Sequence, residues 1–155
     1  MKIEEIMTKN VYTLTKEDTV SKAISLMVEK RFHQIPIVEN EYYGMVFLKD
    51  LIKCRGDPTK TRLGNFVVNT PILRKDADIY EAIRRLLGSG VRALPVVEGK
   101  SIIGILSEID IISKIKRNEI REIKAKEIMS KVVAVSENEK LKTILRTMEK
   151  YRISS

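Results

Sequence analysis

This 155-residue chain has one cysteine, Cys54, and one histidine, His33. A lone cysteine cannot close an internal disulfide, which suits a reducing cytoplasm. One Cys and one His also fail to make any of the usual metal-ligand sets. Long apolar runs are missing as well. Nothing approaches the ~20 apolar residues that a membrane-spanning helix needs. The opening MKIEEIMTKN carries two glutamates and no seven-residue apolar core, so it does not read as a secretory signal. What remains is 43% hydrophobic and 32% charged. That balance excludes a disordered tail and leaves enough apolar material for a core in one ordinary domain or two very small ones. The expectation is a cytoplasmic chain with no membrane association.

Charge of one sign is in excess, with a formal net charge of +8. Phosphate-bearing partners therefore have to be considered. The excess gathers in KIKRNEIREIKAK, residues 114–126. Charge runs are usually solvated linkers or helix faces, and this one lacks the interleaved aromatics of a nucleic-acid reader. Association with nucleic acid, or with another protein through this segment, stands as the alternative function.

The chain is a repeat. Gly44 and Gly104 are 60 residues apart, as are Asp50 and Asp110, while Pro36 and Pro95 are 59 apart. Each unit opens on a β-type run, VYTLT from Val11 and PILRK from Pro71. A helical stripe follows: Val20, Ala23, Ile24, Met27 and Val28 in the first unit, Ile79, Ala82, Ile83, Leu86 and Leu87 in the second. Two short strands come next, Ile35 to Val38 with Tyr43 to Phe47, and Leu94 to Val97 with Ile102 to Leu106. A proline inside such a run points to a sheet edge or a strand start. A last helix begins near Leu48 or Ser107, and Cys54 falls in the first of these. The fold class is α+β, each unit β-α-β-β-α, and two such units should pack face to face. The expected boundaries are 1–58 and 59–118, with 119–155 a linker and the start of a third unit. In that last segment AKEIMSKVVAVSENEKLKTILRTMEKYRISS repeats the opening of the first unit, and Leu141, Ile144, Leu145, Met148 and Tyr151 mark one helical face. It stops short of its own sheet, so a longer parent protein with three or four units is expected.

The repeated order of IMT, the apolar helix, (I/L)PVV and G-h-h-(S/T)-x-x-D resembles the CBS domain, a module found in tandem. The resemblance covers nearly the whole chain. It implies a Bateman module, two units about a pseudo-twofold axis, with no catalysis of its own. Its regulatory ligand would be an adenosine compound, an adenine nucleotide (AMP, ADP or ATP) or S-adenosylmethionine. A four-unit parent would be similar to the γ subunit of AMP-activated protein kinase.

Carried over residue by residue, the resemblance implies two sites. One would hold Ser107 and Asp110, with Met7, Thr8, Asn10, Tyr12, Phe32, His33, Gln34 and Ile35 supplied crosswise by the first unit. The other would hold Asp50 and Phe47, with Phe66, Asn69, Thr70, Pro71, Val91, Arg92 and Ala93. A carboxylate is acceptor-only and ribose offers two adjacent hydroxyl donors, so Asp suits ribose. Ser-x-x-Asp is equally a helix capping box. The first unit breaks that box, because Phe47 replaces the Ser while Asp50 persists; Phe47 could stack on a base, and the Asp110 site should be the stronger. His33 and Arg92 occupy equivalent places before the prolines, where the similar kinase γ subunits commonly hold a His or Arg that reaches phosphate. Arg offers a planar fork for that purpose and His adds pH sensitivity. Lys49 is a weaker phosphate candidate. Cys54 reads as a helix residue rather than a nucleophile. Neither a nucleophile with a base nor a paired acid set recurs in both units, which argues against an enzyme. The half unit at the end would leave an apolar stripe uncovered, so a homodimer or association with further CBS units is expected.

Overall fold

In a computed structural model, residues 2–114 and 133–151 are described. The basic segment from residue 115 onward and the start of the third unit, up to residue 132, lie outside them. The chain divides into two compact units, Met1–Arg117 and Asn118–Ser155.

In the first unit the helical stripes become α1 (Val20–Lys30) and α3 (Ile79–Ser89). Each starts on a side-chain cap. Thr19 Oγ1 accepts from Lys22 N at 3.2 Å, and Asp78 Oδ1 accepts from Tyr80 N at 2.7 Å. Each helix buries most of the predicted face, Val20, Ala23 and Met27 in α1 and Ile79, Ala82 and Leu86 in α3, while Val28 and Leu87 at the edge of each stripe are exposed. Antiparallel hairpins follow: β1 (Gln34–Val38) with β2 (Tyr42–Phe47), and, after the short β3 (Leu73–Arg74), β4 (Ala93–Glu98) with β5 (Ser101–Ser107). β3 joins β4 in parallel register. In the first half the run from Val11 shrinks to one parallel bridge, Leu14 with Ile37, because only Leu14 exchanges hydrogen bonds with β1. The closing helices are α2 (Leu48–Leu51), a single turn, and α4, described over Glu108–Lys114. Since α2 makes a single turn, Cys54 lies beyond it and outside any helix, contrary to expectation, with its Sγ 3.7 Å from Gly56 O.

The core is split in two, and each half is closed by a segment from the other. Ile3, fully buried, sits with Ile6 among Leu73, Leu94, Val96 and Leu106 of the second half. Leu63, also fully buried, sits among Leu14, Met27, Ile37 and Leu51 of the first. Both leaders form a short 3-10 turn, Ile3–Glu5 and Leu63–Phe66. Backbone bonds anchor them: Ile3 N donates to Ala77 O at 3.3 Å and Leu63 N to Asp18 O at 2.9 Å. The leader of each repeat thus belongs to the core of its neighbour. The halves also meet where Gln34 Nε2 donates to the carbonyl of Ala93 at 2.8 Å, which satisfies a buried amide.

The second unit contains α5 (Leu141–Tyr151), which follows the periodicity read from the sequence and leaves Leu141 and Leu145 exposed.

Candidate functional site

The anchoring glycines explain how a site can form across the two halves. An added Cβ on Gly104 would lie 2.5 Å from Met7 Sδ and 3.1 Å from Thr8 O. One on Gly44 would lie 2.5 Å from Val67 Cγ1 and 3.0 Å from Val68 O. The missing side chain therefore admits a crossing backbone: Thr8 pairs with Ile105 and Val68 with Met45. In the sequence the glycines read only as repeat anchors.

The first crossing brings Thr8 to Asp110. Thr8 Oγ1 donates to Asp110 Oδ1 at 3.4 Å. The other carboxylate oxygen, Oδ2, accepts from Ser107 N at 2.8 Å and Ser107 Oγ at 2.6 Å, while Asp110 N donates to Ser107 Oγ at 3.2 Å. Ser107 and Asp110 form a reciprocal capping box at the start of α4. The cap and the site coexist: the box fixes the carboxylate through Oδ2 and leaves Oδ1 to a single long bond.

A cleft of about 540 Å³ opens beside this pair, within the ~300–1,000 Å³ range of small-molecule sites. Of the residues expected there, Thr8, Asn10, Tyr12, Phe32, His33, Gln34, Ser107 and Asp110 line it. Two do not. Ile35 is fully buried in the core of the first half, because its side chain points to the opposite face of β1 from Gln34, and Met7 is taken up by the packing over Gly104. Tyr12 and Phe32 form one wall, their ring centroids 5.7 Å apart and tilted by 52°. Lys30 Nζ lies 5.5 Å from the centre of the Tyr12 ring, and its charge is held by Glu29 at 2.8 Å, which raises its pKa.

Arg92 and Ala93 line this same cleft rather than a separate one with Asp50. The reason is the approach of β1 and β4 at the Gln34 to Ala93 bond, which places the residues preceding both strands side by side. The two positions keep their equivalence in the backbone, since His33 O accepts from Leu48 N at 2.9 Å and Arg92 O from Glu108 N at 3.0 Å. Lys30, Arg31 and Glu108 join the lining without having been flagged by the sequence. The only sequence sign of Arg31 was its place at the end of the helical stripe, where the second repeat has Gly90.

The Asp50 side is built differently. Phe47 is only 9% exposed, so it is part of the packing rather than a free platform, and Lys49 Nζ stands 5.6 Å from the centre of its ring. As expected of a phenylalanine, it offers no side-chain cap to α2. Phe66 packs on the core of the first half and Val91 on that of the second. Thr70 Oγ1 is 3.1 Å from Tyr42 OH, a phenol whose pKa burial pushes up, with the Thr70 bond working against the rise. Asn69 and Pro71 are exposed.

Among the described residues, no group of three or more His, Cys, Asp or Glu could hold a metal ion, and no helix is long and apolar enough to cross a membrane. Compared with known proteins, residues 3–57 and 66–117 match the family model of the CBS domain. The chain belongs to the CBS domain family. An uncharacterised protein of Methanocaldococcus jannaschii is 30% identical over 147 residues, covering 90% of this chain and 34% of the relative. Inosine-5′-monophosphate dehydrogenase of the same organism is 29% identical over 118 residues, covering 74% of this chain and 24% of that enzyme. Among solved structures, the hexameric CBS-CP12 protein of bloom-forming cyanobacteria superposes with a TM-score of 0.64 at 29% identity, covering 74% of this chain and 70% of that one. The chain spans 34%, 43% and 58% of the length of three curated relatives. CBS pairs generally serve as regulatory ligand-binding domains and are mostly non-catalytic, although some relatives that carry them, such as the dehydrogenase, are enzymes.

Proposed function

We propose that this CBS pair is a regulatory module that binds an adenosine compound, an adenine nucleotide or S-adenosylmethionine, in the cleft beside Asp110. The observation that carries this reading is the carboxylate pinned through Oδ2 by Ser107, with Oδ1 held only by the 3.4 Å bond from Thr8. Such an oxygen can accept from a ribose hydroxyl without giving up its cap, and Tyr12 and Phe32 supply an apolar wall for the base. The cleft draws on both halves, with Thr8 and His33 from the first repeat and Arg92 and Asp110 from the second. A ligand seated there favours one packing of the halves over others, which is how occupancy becomes a signal. The signal would be read by a partner chain or by further CBS units, and self-association fits a family whose members include the hexameric relative.

Isothermal titration with AMP, ADP, ATP and S-adenosylmethionine tests the proposal. Saturable heat with at least one of them is expected, with a stoichiometry near one per chain. No heat with any of them, together with salt-sensitive binding to an oligonucleotide, would overturn it in favour of a nucleic-acid module.

A further inference from the structure

The two long helices end alike in backbone and unlike in residue. α3 is capped by Gly90 at φ 66°, α1 by Arg31 at φ 56°. Among the described residues, no other non-glycine has a positive φ. The left-handed conformation is free for glycine and strained for a residue with a Cβ. The turn itself is needed, because it lets Phe32 N donate to Met27 O at 2.8 Å and sets Phe32 against Tyr12. Glycine would make that turn without strain. What arginine adds is a cationic side chain on a residue that lines the cleft.

Among the described residues, the Arg31 guanidinium has no ion pair. Four other cations of the first unit are paired with acids: Lys22 with Asp18, Arg74 with Asp76, Arg85 with Glu81 and Lys100 with Glu41. Among the described residues, the side chains of Arg31 and Arg92 have neither an ion pair nor a hydrogen bond, though Glu108 and Asp110 share their cleft. Asp110 is held through Oδ2 by Ser107, and its Oδ1 takes only the 3.4 Å bond from Thr8. Two arginines without an ion pair line one cleft from different elements, one after α1 and one before β4, and a pair of guanidinium groups suits an anion with more than one phosphate.

Building on the ribose reading of Asp110, we infer that Arg31 is a specificity residue that recognises the terminal phosphates of a nucleoside di- or triphosphate. The cleft then disfavours S-adenosylmethionine, whose sulfonium would add positive charge beside Arg31 and Arg92. The strain at Arg31 separates this role from a structural one: replacement by glycine should stabilise the fold and weaken the ligand.

Titration of the full chain and of its Arg31→Gly and Arg31→Lys variants with adenosine, AMP, ADP, ATP and S-adenosylmethionine tests this. The unmodified chain is expected to bind ADP or ATP more tightly than AMP and far more tightly than S-adenosylmethionine. In Arg31→Gly, ADP and ATP affinity should fall about tenfold, as for loss of one charge-assisted contact, while adenosine affinity changes less than about twofold. Its melting temperature should rise by ~2–4 °C, which shows that the variant is folded. Arg31→Lys should keep part of the ADP and ATP affinity. If Arg31→Gly leaves the ATP to AMP ratio unchanged, or if the unmodified chain prefers S-adenosylmethionine, the assignment of Arg31 is wrong while adenosine binding stands. If the unmodified chain binds none of the five, both inferences fall together.

Discussion

Asp110 and Asp50 occupy the same place in the two repeats, yet their surroundings separate them. Asp110 is oriented by Ser107 and faces Thr8 across the cleft, whereas the residue equivalent to Ser107 is the buried Phe47. Asp110→Ala should therefore lower nucleotide affinity by roughly 10–100-fold, the range for one or two charge-assisted bonds, and Asp50→Ala by much less. Titration of the two variants decides it, and the reverse order would move the site to the Phe47 side. A second residue-scale expectation concerns acid. Burial works to raise the pKa of Asp18, but the Lys22 ammonium and the hydrogen bonds from Thr15 outweigh it and hold the carboxyl below its usual value. A depressed folded pKa gives stability that is complete above the unfolded value of about 3.9 and is lost as pH falls through the folded one. Asp18→Asn should then melt lower than the unmodified chain at neutral pH, and the difference should close below about pH 4. A gap that persists in acid would mean that Asp18 acts by shape and not by charge.

Among elements, the helices were the most legible, because α1 and α3 each present one apolar stripe and start on a capping residue. The strand from Val11 was overread, since an alternating run does not reveal that only Leu14 would find partners. The glycines carried more structure than their spacing suggested, and they make unequal demands. At Gly44 the obstacle to a Cβ is a stiff valine and a backbone carbonyl, whereas at Gly104 it is chiefly the flexible thioether of Met7. Gly44→Ala should cost about 1–3 kcal/mol by urea unfolding, and Gly104→Ala less. Equal costs would show that the carbonyls, not the side chains, set the penalty. The makeup of the cleft was half legible. Thr8, His33 and Asp110 follow from the family pattern, but Arg31 enters through a left-handed turn, and Arg92 moves to this cleft because β1 and β4 meet at Gln34 and Ala93. Neither a turn's handedness nor a contact between repeats can be read from residue order alone.

At the scale of the first unit, the exchange of leaders makes the halves interdependent. Ile3 is fully buried in one core and Leu63 in the other, so truncating either should cost about 2–5 kcal/mol and destabilise the half that does not contain it in sequence. Calorimetry of Ile3→Ala and Leu63→Ala should show one cooperative transition moved down. Two separate transitions, with one unmoved, would mean that the halves fold independently. The exchange has a consequence for cleavage too. Residues 55–60, which join the halves, are exposed, while Ile3 and Leu63 lie on opposite sides of that joint and each is held in the half across it. A protease that cuts there severs the chain and leaves both clasps fastened. The product would run as two bands under denaturing conditions and elute as one particle under native ones, a naturally split protein whose fragments remain each other's missing piece.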